Sequence, residues 1–307
     1  MGPASAVSTG GEAKNFVSYL NKVYWVSYEY GDFVGYDPSK TWTGVSENGN
    51  PKQLNEIKAT LSSHNSLRAS SLFAFNNNLW SGLRMTKSKT GSAVFDASVI
   101  ARQSLTDDND FEYWVLDEFG SDGIAGLCMI GNEMWGASFS EIFRWDYATE
   151  QVAERIPIVA IDPSFNGKKF KRVVCSNGNL YGSIGSYIAQ GDDDGYRVTD
   201  TETTNYYLVY DPITKTKNKV GQVSPRFAMV ELNSLTVSPD GIVYGLLTDE
   251  SARKHTIGYI NPNNFEWTAL GTFSGSNMNR MNGWTFIEDD VYIIGHDGGY
   301  KLVKYSP

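Results

Sequence analysis

The sequence predicts an all-β fold of repeated four-stranded antiparallel sheets, and three observations predict it. A short apolar segment, a tight polar turn and an apolar residue followed by Tyr or Trp recur six times in the 307 residues. A second marker follows each copy: an aromatic or apolar residue before Asp, Asn or Ser, often then Pro. The chain reaches Pro307 one strand short of finishing its last repeat, while a spare β-prone segment lies at 4–9.

The first marker defines hairpins. Its copies are Phe16–Leu20 leading to Val23-Tyr24, Ser71–Phe75 leading to Leu79-Trp80, and Leu127–Ile130 leading to Met134-Trp135. The other three are Val173–Cys175 leading to Leu180-Tyr181, Leu235–Val237 leading to Val243-Tyr244, and Trp284–Ile287 leading to Val291-Tyr292. Most turn residues between them are Asn, Asp or Gly, as in Asn76-Asn77-Asn78 and Asn177-Gly178-Asn179. Such residues tolerate positive φ or bond their own backbone, which a hairpin requires.

The second marker closes a third strand. Its copies are Tyr36-Asp37-Pro38, Phe95-Asp96, Trp145-Asp146, Tyr210-Asp211-Pro212, Ile260-Asn261-Pro262 and Tyr305-Ser306-Pro307. Asp nucleates a turn and Pro cannot donate to a sheet ladder. Fourth strands are then expected at Trp42–Val45, Val99–Leu105, Gln151–Glu154, Asn218–Val223 and Glu266–Phe273.

Four antiparallel strands per unit, repeated at intervals of several tens of residues, are the pattern of a β-propeller. The prediction is one domain over 1–307, with six blades near 15–46, 70–105, 124–154, 170–223, 233–273 and 282–307 plus 4–9. The N-terminal strand would complete the C-terminal blade, because an unpaired sheet edge invites unwanted pairing.

The Tyr-Asp-Pro turns followed by Thr or Lys resemble those of several unclassified bacterial and phage propellers. The repeats carry no recurring Gly-His and Trp-Asp pair of the WD40 kind, and no strand-ending Gly-Gly doublet of the kelch kind. The resemblance is therefore to β-propellers in general, and it implies a fold without carrying over any site.

In such a fold the turns between strands two and three and between blades emerge on one face. The long insertions 47–69, 106–123, 155–169, 185–204 and 224–232 all belong to that set. Long loops on a rigid scaffold usually carry function, so binding is expected there, around the mouth of a central channel. Capping of the blades is the competing explanation.

Within those loops, Phe111–Phe119 places aromatics beside acids, and Tyr113 and Trp114 are candidates for contact with sugar rings or a protein surface. An extra strand packed on the blade is the alternative for the same segment. Tyr187 and Tyr196 flank the acidic run Asp192, Asp193 and Asp194, the cluster best suited to a Ca²⁺ ion. Three consecutive aspartates cannot all point inward, so a solvated turn competes, and no other cofactor is suggested. Arg84, Arg226 and Arg280, with His64 and His296, fall near strand ends on the same face and complete the candidate binding set.

Composition excludes more than it selects. The net charge of −9 argues against nucleic acid, which needs clustered Lys and Arg. The run Lys168-Lys169-Phe170-Lys171-Arg172 reads as a solvated turn. No apolar run is long enough to span a membrane. Cys128 and Cys175 sit in apolar contexts and read as buried free thiols. Residues 1–15 lack the basic and apolar regions of a signal peptide, leaving a cytosolic, virion-borne or trimmed secreted protein.

Neither a Gly-x-Ser-x-Gly elbow nor a metal-ligand spacing among His64, His255 and His296 is present. The expected function is a non-catalytic recognition or attachment module that binds a glycan or a protein through its loop-rich face. A virion or tail component of a phage is one alternative. A saccharide lyase or hydrolase with its site at the channel mouth is another.

Overall fold

The computed structural model describes residues 13–27, 32–55, 67–85, 97–186, 206–223, 230–249, 254–274, 280–296 and 300–305. They form a β-propeller fold of antiparallel sheets in which consecutive strands are neighbours. The first sheet contains β1 (Ala13–Tyr19), β2 (Lys22–Ser27), β3 (Phe33–Tyr36) and β4 (Lys52–Asn55). The second contains β5 (Leu67–Phe75), β6 (Asn78–Met85), β7 (Ala97–Ser104) and β8 (Phe111–Leu116). The third contains β9 (Ile124–Ile130), β10 (Glu133–Ser138), β11 (Glu141–Asp146) and β12 (Gln151–Pro157).

The fourth sheet runs through β13 (Lys168–Ser176), β14 (Asn179–Ser186), β15 (Tyr206–Asp211) and β16 (Thr216–Gln222). The fifth runs through β17 (Val230–Val237), β18 (Val243–Asp249), β19 (Lys254–Ile260) and β20 (Trp267–Ser274). The last has three strands, β21 (Arg280–Ile287), β22 (Asp290–His296) and β23 (Tyr300–Tyr305). The expectation of six four-stranded blades is thereby corrected: among the described residues there are five four-stranded blades, beside one three-stranded sheet. The segment 4–9, expected to supply the missing strand, lies outside the described residues.

The hairpin marker is explained by burial. Tyr24, Trp80, Trp135, Tyr181 and Tyr292 are each at most 5% exposed, so the recurring aromatic fills the core rather than a site. Burial pushes the Tyr24 hydroxyl up to about 12, with the nearby Asp37 charge adding to the shift. It raises the hydroxyls of Tyr181, Tyr244 and Tyr292 as well. Positive φ at Asn21, Asn76, Asn77, Asn177 and Gly131 confirms the turn chemistry.

Two of the expected fourth strands are displaced. In the first sheet the fourth strand is β4, not Trp42–Val45. The Asn50 side chain holds the intervening loop, accepting from Asp37 N at 2.9 Å and donating to the carbonyls of Asp37 and Lys40 at 2.9 and 3.1 Å. That loop delays the return of the chain to the sheet edge. In the second sheet Val99–Leu105 falls in the third strand, β7, whose almost wholly buried face marks a central position. The fourth strand is β8, drawn from the supposed insertion. Phe95-Asp96 lies outside the described residues.

The chain divides into two compact units, Met1–Ile124 with Met281–Pro307, and Ala125–Arg280. In the first unit the last sheet packs on the first. Phe16, Val23, Trp25 and Val34 share a core cluster with Ile287, Tyr292 and Leu302. Ser18 N donates to Thr285 Oγ1 at 3.1 Å, and the two hydroxyl oxygens lie 3.3 Å apart. A second cluster joins Tyr24, Val26 and Phe33 to Leu79, Leu83, Val99 and Ala101 of the second sheet.

In the second unit, β9 and β13 approach closely. A Cβ on Gly126 would lie 2.3 Å from the Val173 carbonyl oxygen, so only glycine fits there. Two residues further along each strand, Cys128 and Cys175 form a disulfide with a Cα–Cα distance of 5.6 Å. The free-thiol expectation is therefore corrected. Spacing in sequence could not reveal the pair, because the strands meet only through the stacking of neighbouring sheets. Tyr207, Val209, Leu235 and Leu247 form the core between the fourth and fifth sheets.

The run Lys168–Arg172 is also corrected: it opens β13, with Phe170 fully buried and Lys171 6% exposed, and is not a solvated turn. The insertion before it folds into one helical turn, α1 (Ile158–Ile161), and a 3₁₀ turn, Pro163–Phe165. Asp162 anchors this insertion by accepting from Ser164 N at 2.9 Å and from Lys217 Nζ at 2.8 Å.

The Lys217 and Ser164 hydrogen bonds hold the Asp162 carboxyl down at about 2. Its native value lies below the ordinary 3.8, so its stabilisation is complete above that pH and is lost as pH falls through about 2. Asp162→Asn keeps the turn-capping oxygen and loses the ion pair. The expected result of urea unfolding is a wild-type advantage of up to about 1 kcal/mol near neutrality that shrinks towards pH 2. An advantage independent of pH would contradict this role for the charge.

Candidate functional site

In the first unit, β8, the outer strand of the second sheet, carries two exposed large apolar side chains, while Leu20 and Phe75 stand exposed elsewhere. Strand alternation sends Phe111, Tyr113 and Val115 to one face and Glu112, Trp114 and Leu116 to the other. Opposite them on β7 stand Gln103, Ala101 and Val99, and then Arg102, Ile100 and Ser98. Tyr113 and Val115 are 40% and 39% exposed, against a second-sheet interior that is almost wholly buried.

Aromatic pairing gives this edge its shape. The Phe111 and Tyr113 rings stack with centroids 6.2 Å apart. On the opposite face Trp114 stacks at 5.8 Å and 15° on Trp80, which is 3% exposed. Trp114 is therefore half-buried and rigid, while Tyr113 offers its ring to solvent. Of the two accounts the sequence left open for this segment, the structure has the packed strand, and that strand still carries an exposed aromatic face.

Charge at the strand start is fixed by Arg102. Its guanidinium meets Asp110 in a short contact and Glu112 at 3.1 Å, and donates to Asn78 Oδ1 at 3.4 Å. Lys52 pairs with Asp108, and Asn55 Nδ2 donates to Gln103 Oε1 at 2.9 Å, tying β4 to the same rim. The site is an aromatic ribbon with anchored carboxylates at one end. Below it, Ser98 Oγ donates to Gly120 O and accepts from Gly123 N, holding the 3₁₀ turn Asp117–Asp122 against β7.

The other candidate residues are distributed differently. Arg84 is the next-to-last residue of β6 and is 7% exposed. Arg280 opens β21 and His296 closes β22. His255, on β19, is fully buried. His64, Tyr187, Tyr196, Asp192, Asp193, Asp194 and Arg226 lie outside the described residues. Among the described residues no group of three or more His, Cys, Asp or Glu is placed to hold a metal ion, and no helix is long and apolar enough to cross a membrane.

Comparison with known proteins supports the fold and nothing finer. No family model matches the chain, and no curated protein matches it. Among solved structures, the Neurospora crassa Pan2 WD40 domain is similar with a TM-score of 0.52 and 8% identity, over 98% of this chain and 90% of that one. A regucalcin from Agrobacterium tumefaciens, described as a calcium-binding protein, has a TM-score of 0.47 and 13% identity over 78% and 74% of the two chains. At such identities only the propeller architecture is shared, and propellers host many unrelated functions.

Proposed function

We propose that this chain is a non-catalytic recognition or attachment module, and that it holds a glycan against the aromatic ribbon of β8. The observation that carries this reading is the stacked Phe111–Tyr113 pair on an outer strand, with Tyr113 40% exposed. Sugar rings present C–H faces that pack on such aromatic planes.

The Cys128–Cys175 disulfide supports the attachment role. Such bonds persist in secreted, cell-surface and virion settings and are rare in a reducing cytosol. Tyr187, Tyr196, Arg226, Arg280, His64 and His296 are proposed separately, as ligand contacts on the loop-rich face.

The test is a glycan array followed by titration of the best ligand. Tyr113→Ala should bind at least about tenfold more weakly, the loss expected for one stacking ring. Its thermal unfolding should fall by only a few degrees, because Tyr113 is 40% exposed on an outer strand. Equal binding by the variant removes the ribbon from the function. A blank array together with a protein partner captured through Tyr113 makes the ligand a protein and overturns the glycan assignment.

A further inference from the structure

An outer strand presents a row of backbone N–H and C=O groups, and such an edge pairs with other chains unless it is blunted. In this fold the blunting device is a bulge. Against its neighbouring strand, β4 skips Leu54, β12 skips Ala153, β16 skips Asn218 and β20 skips Leu270. An extra residue of this kind breaks the ladder and bends the edge. Among the described four-stranded sheets β8 is the exception. Its residues pair with β7 in one unbroken register, from Phe111 opposite Gln103 to Leu116 opposite Ser98.

The ladder also fixes where the β8 backbone points. Ser104 N donates to Asp110 O at 3.0 Å, which turns the Asp110 carbonyl towards β7. Antiparallel alternation then turns Glu112, Trp114 and Leu116 the same way, and Phe111, Tyr113 and Val115 outward. Phe111 N is met within its own turn by Asn109 O at 3.2 Å. The outward donors are therefore the N–H groups of Tyr113 and Val115, and the outward acceptors are the carbonyls of Phe111, Tyr113 and Val115. Among the described residues no strand lies beyond them.

Side-chain charge does not guard this edge either. Glu112 is the single charged residue of β8, and Arg102 of the same chain holds it at 3.1 Å. Arg102 also holds Asp110, and Lys52 holds Asp108, so these carboxylates near the strand's start are matched internally. No lysine stands on β8 to repel an approaching strand, whereas β16 carries Lys217 and Lys219. Tyr113 and Val115 are instead 40% and 39% exposed.

We propose that β8 pairs antiparallel with β8 of a second copy of this chain, about a two-fold axis at Tyr113. In that register each Tyr113 N–H reaches the Tyr113 carbonyl of the other copy, and each Val115 N–H reaches the Phe111 carbonyl. Every outward donor is satisfied, because Tyr113 is the midpoint of the outward row. The side chains agree with the same register. Phe111 stands opposite Val115 and the two Tyr113 rings are neighbours on one face, while on the other Glu112 stands opposite Trp114. No two carboxylates on the strands are directly opposed, whereas a shift that pairs Phe111 with Tyr113 would set Glu112 against Glu112. One patch that completes itself is the requirement of an isologous dimer. The edge rather than the ring faces makes the contact, so the proposal goes beyond the glycan reading and does not rest on it.

Sedimentation equilibrium of the full chain in saccharide-free buffer should show twice the chain mass at about 100 μM. Val115→Pro removes an outward donor without touching the β7 ladder, and should weaken association at least about tenfold. Val115→Lys should also weaken it, by placing a charge on the edge, and Val115→Thr, which keeps the N–H, should associate like wild type. Circular dichroism should show wild-type strand content in all three. Oxidation reads the register: the Cα atoms of a hydrogen-bonded pair lie about 5.5 Å apart, within disulfide reach, so Tyr113→Cys should cross-link two copies. Val115→Cys, opposite Phe111, should not. Cys128 and Cys175 are bonded to each other and do not compete. The charge of −9 on each chain opposes association, so added salt should tighten it. Monomer mass at every concentration, a Val115→Pro dimer as tight as wild type, or cross-linking through Val115→Cys in place of Tyr113→Cys would each overturn the proposal. None of these readouts requires a glycan.

Discussion

Replacing both Cys128 and Cys175 by Ser should lower the unfolding free energy by about 3–4 kcal/mol. The two residues are 47 apart in sequence, and closing a loop of that length removes roughly that much entropy from the unfolded chain. For a domain of this size the change corresponds to a fall in Tm on the order of 10 °C. The native side contributes as well. Cys128 is 4% exposed beside the tight Gly126–Val173 approach, so two hydroxyls placed there would sit in a site shaped for a sulfur pair. Reductant should shift the wild type towards the double variant and leave the variant unmoved. Thiol titration of the unfolded protein should find no free thiols before reduction and two after. Two free thiols before reduction, with a melting curve indifferent to reductant, would refute the bond.

This bond also marks the limit of what the sequence could say. Apolar neighbours placed both cysteines inside; Cys128 is buried and Cys175 half-buried. What was missing was the lateral register of one sheet against the next, which no strand pattern encodes. Two positions with the same spacing from Gly126 and Val173 become partners only when β9 and β13 lie side by side. The hairpins were legible because turn residues and a buried aromatic recur locally. The fourth strands were less so, since an outer strand half-exposed to solvent needs fewer apolar residues. Phe111–Leu116 looked like a decorated loop because it mixes aromatics with acids, yet that alternation is what an edge strand requires.

The same reasoning explains the candidate site. Tyr113 and Trp114 were visible as unusual side chains, but their difference in role was not. It follows from the opposite faces of one strand: Trp114 reaches back to Trp80, and Tyr113 turns outward. The start of β13 was hidden for another reason. Its lysines looked like a solvated turn because a charge run carries no sign of the apolar insertion folded beneath it. Backbone bonds from Ile158 N and Phe170 N to the Phe139-Ser140 turn bring those segments together.

A new disulfide should form when Ser18 and Thr285 are both changed to Cys, and it should stabilise the chain by about 2–4 kcal/mol. The two sites occupy the places that Cys128 and Cys175 hold in the other unit. Thr285 is two residues before the end of β21, as Cys128 is before the end of β9; Ser18 is one before the end of β1, as Cys175 is before the end of β13. Gly283 then matches Gly126, and a Cβ on it would meet the Phe16 ring at 2.8 Å, the counterpart of the Val173 contact. The two hydroxyl oxygens are already 3.3 Å apart and the residues 267 apart in sequence, so the entropic gain approaches its upper range of about 5 kcal/mol. Against it stands the loss of the Ser18 N to Thr285 Oγ1 hydrogen bond, costing about 1–3 kcal/mol, which leaves the stated net. Ser18→Ala with Thr285→Ala, which loses the bond and gains no link, should be destabilised by about 1–3 kcal/mol and separates the two terms. Mass spectrometry of a digest under non-reducing conditions reads the cross-link directly. Persistence of two reduced thiols under air oxidation would mean that the last sheet does not rest on the first in the register seen here.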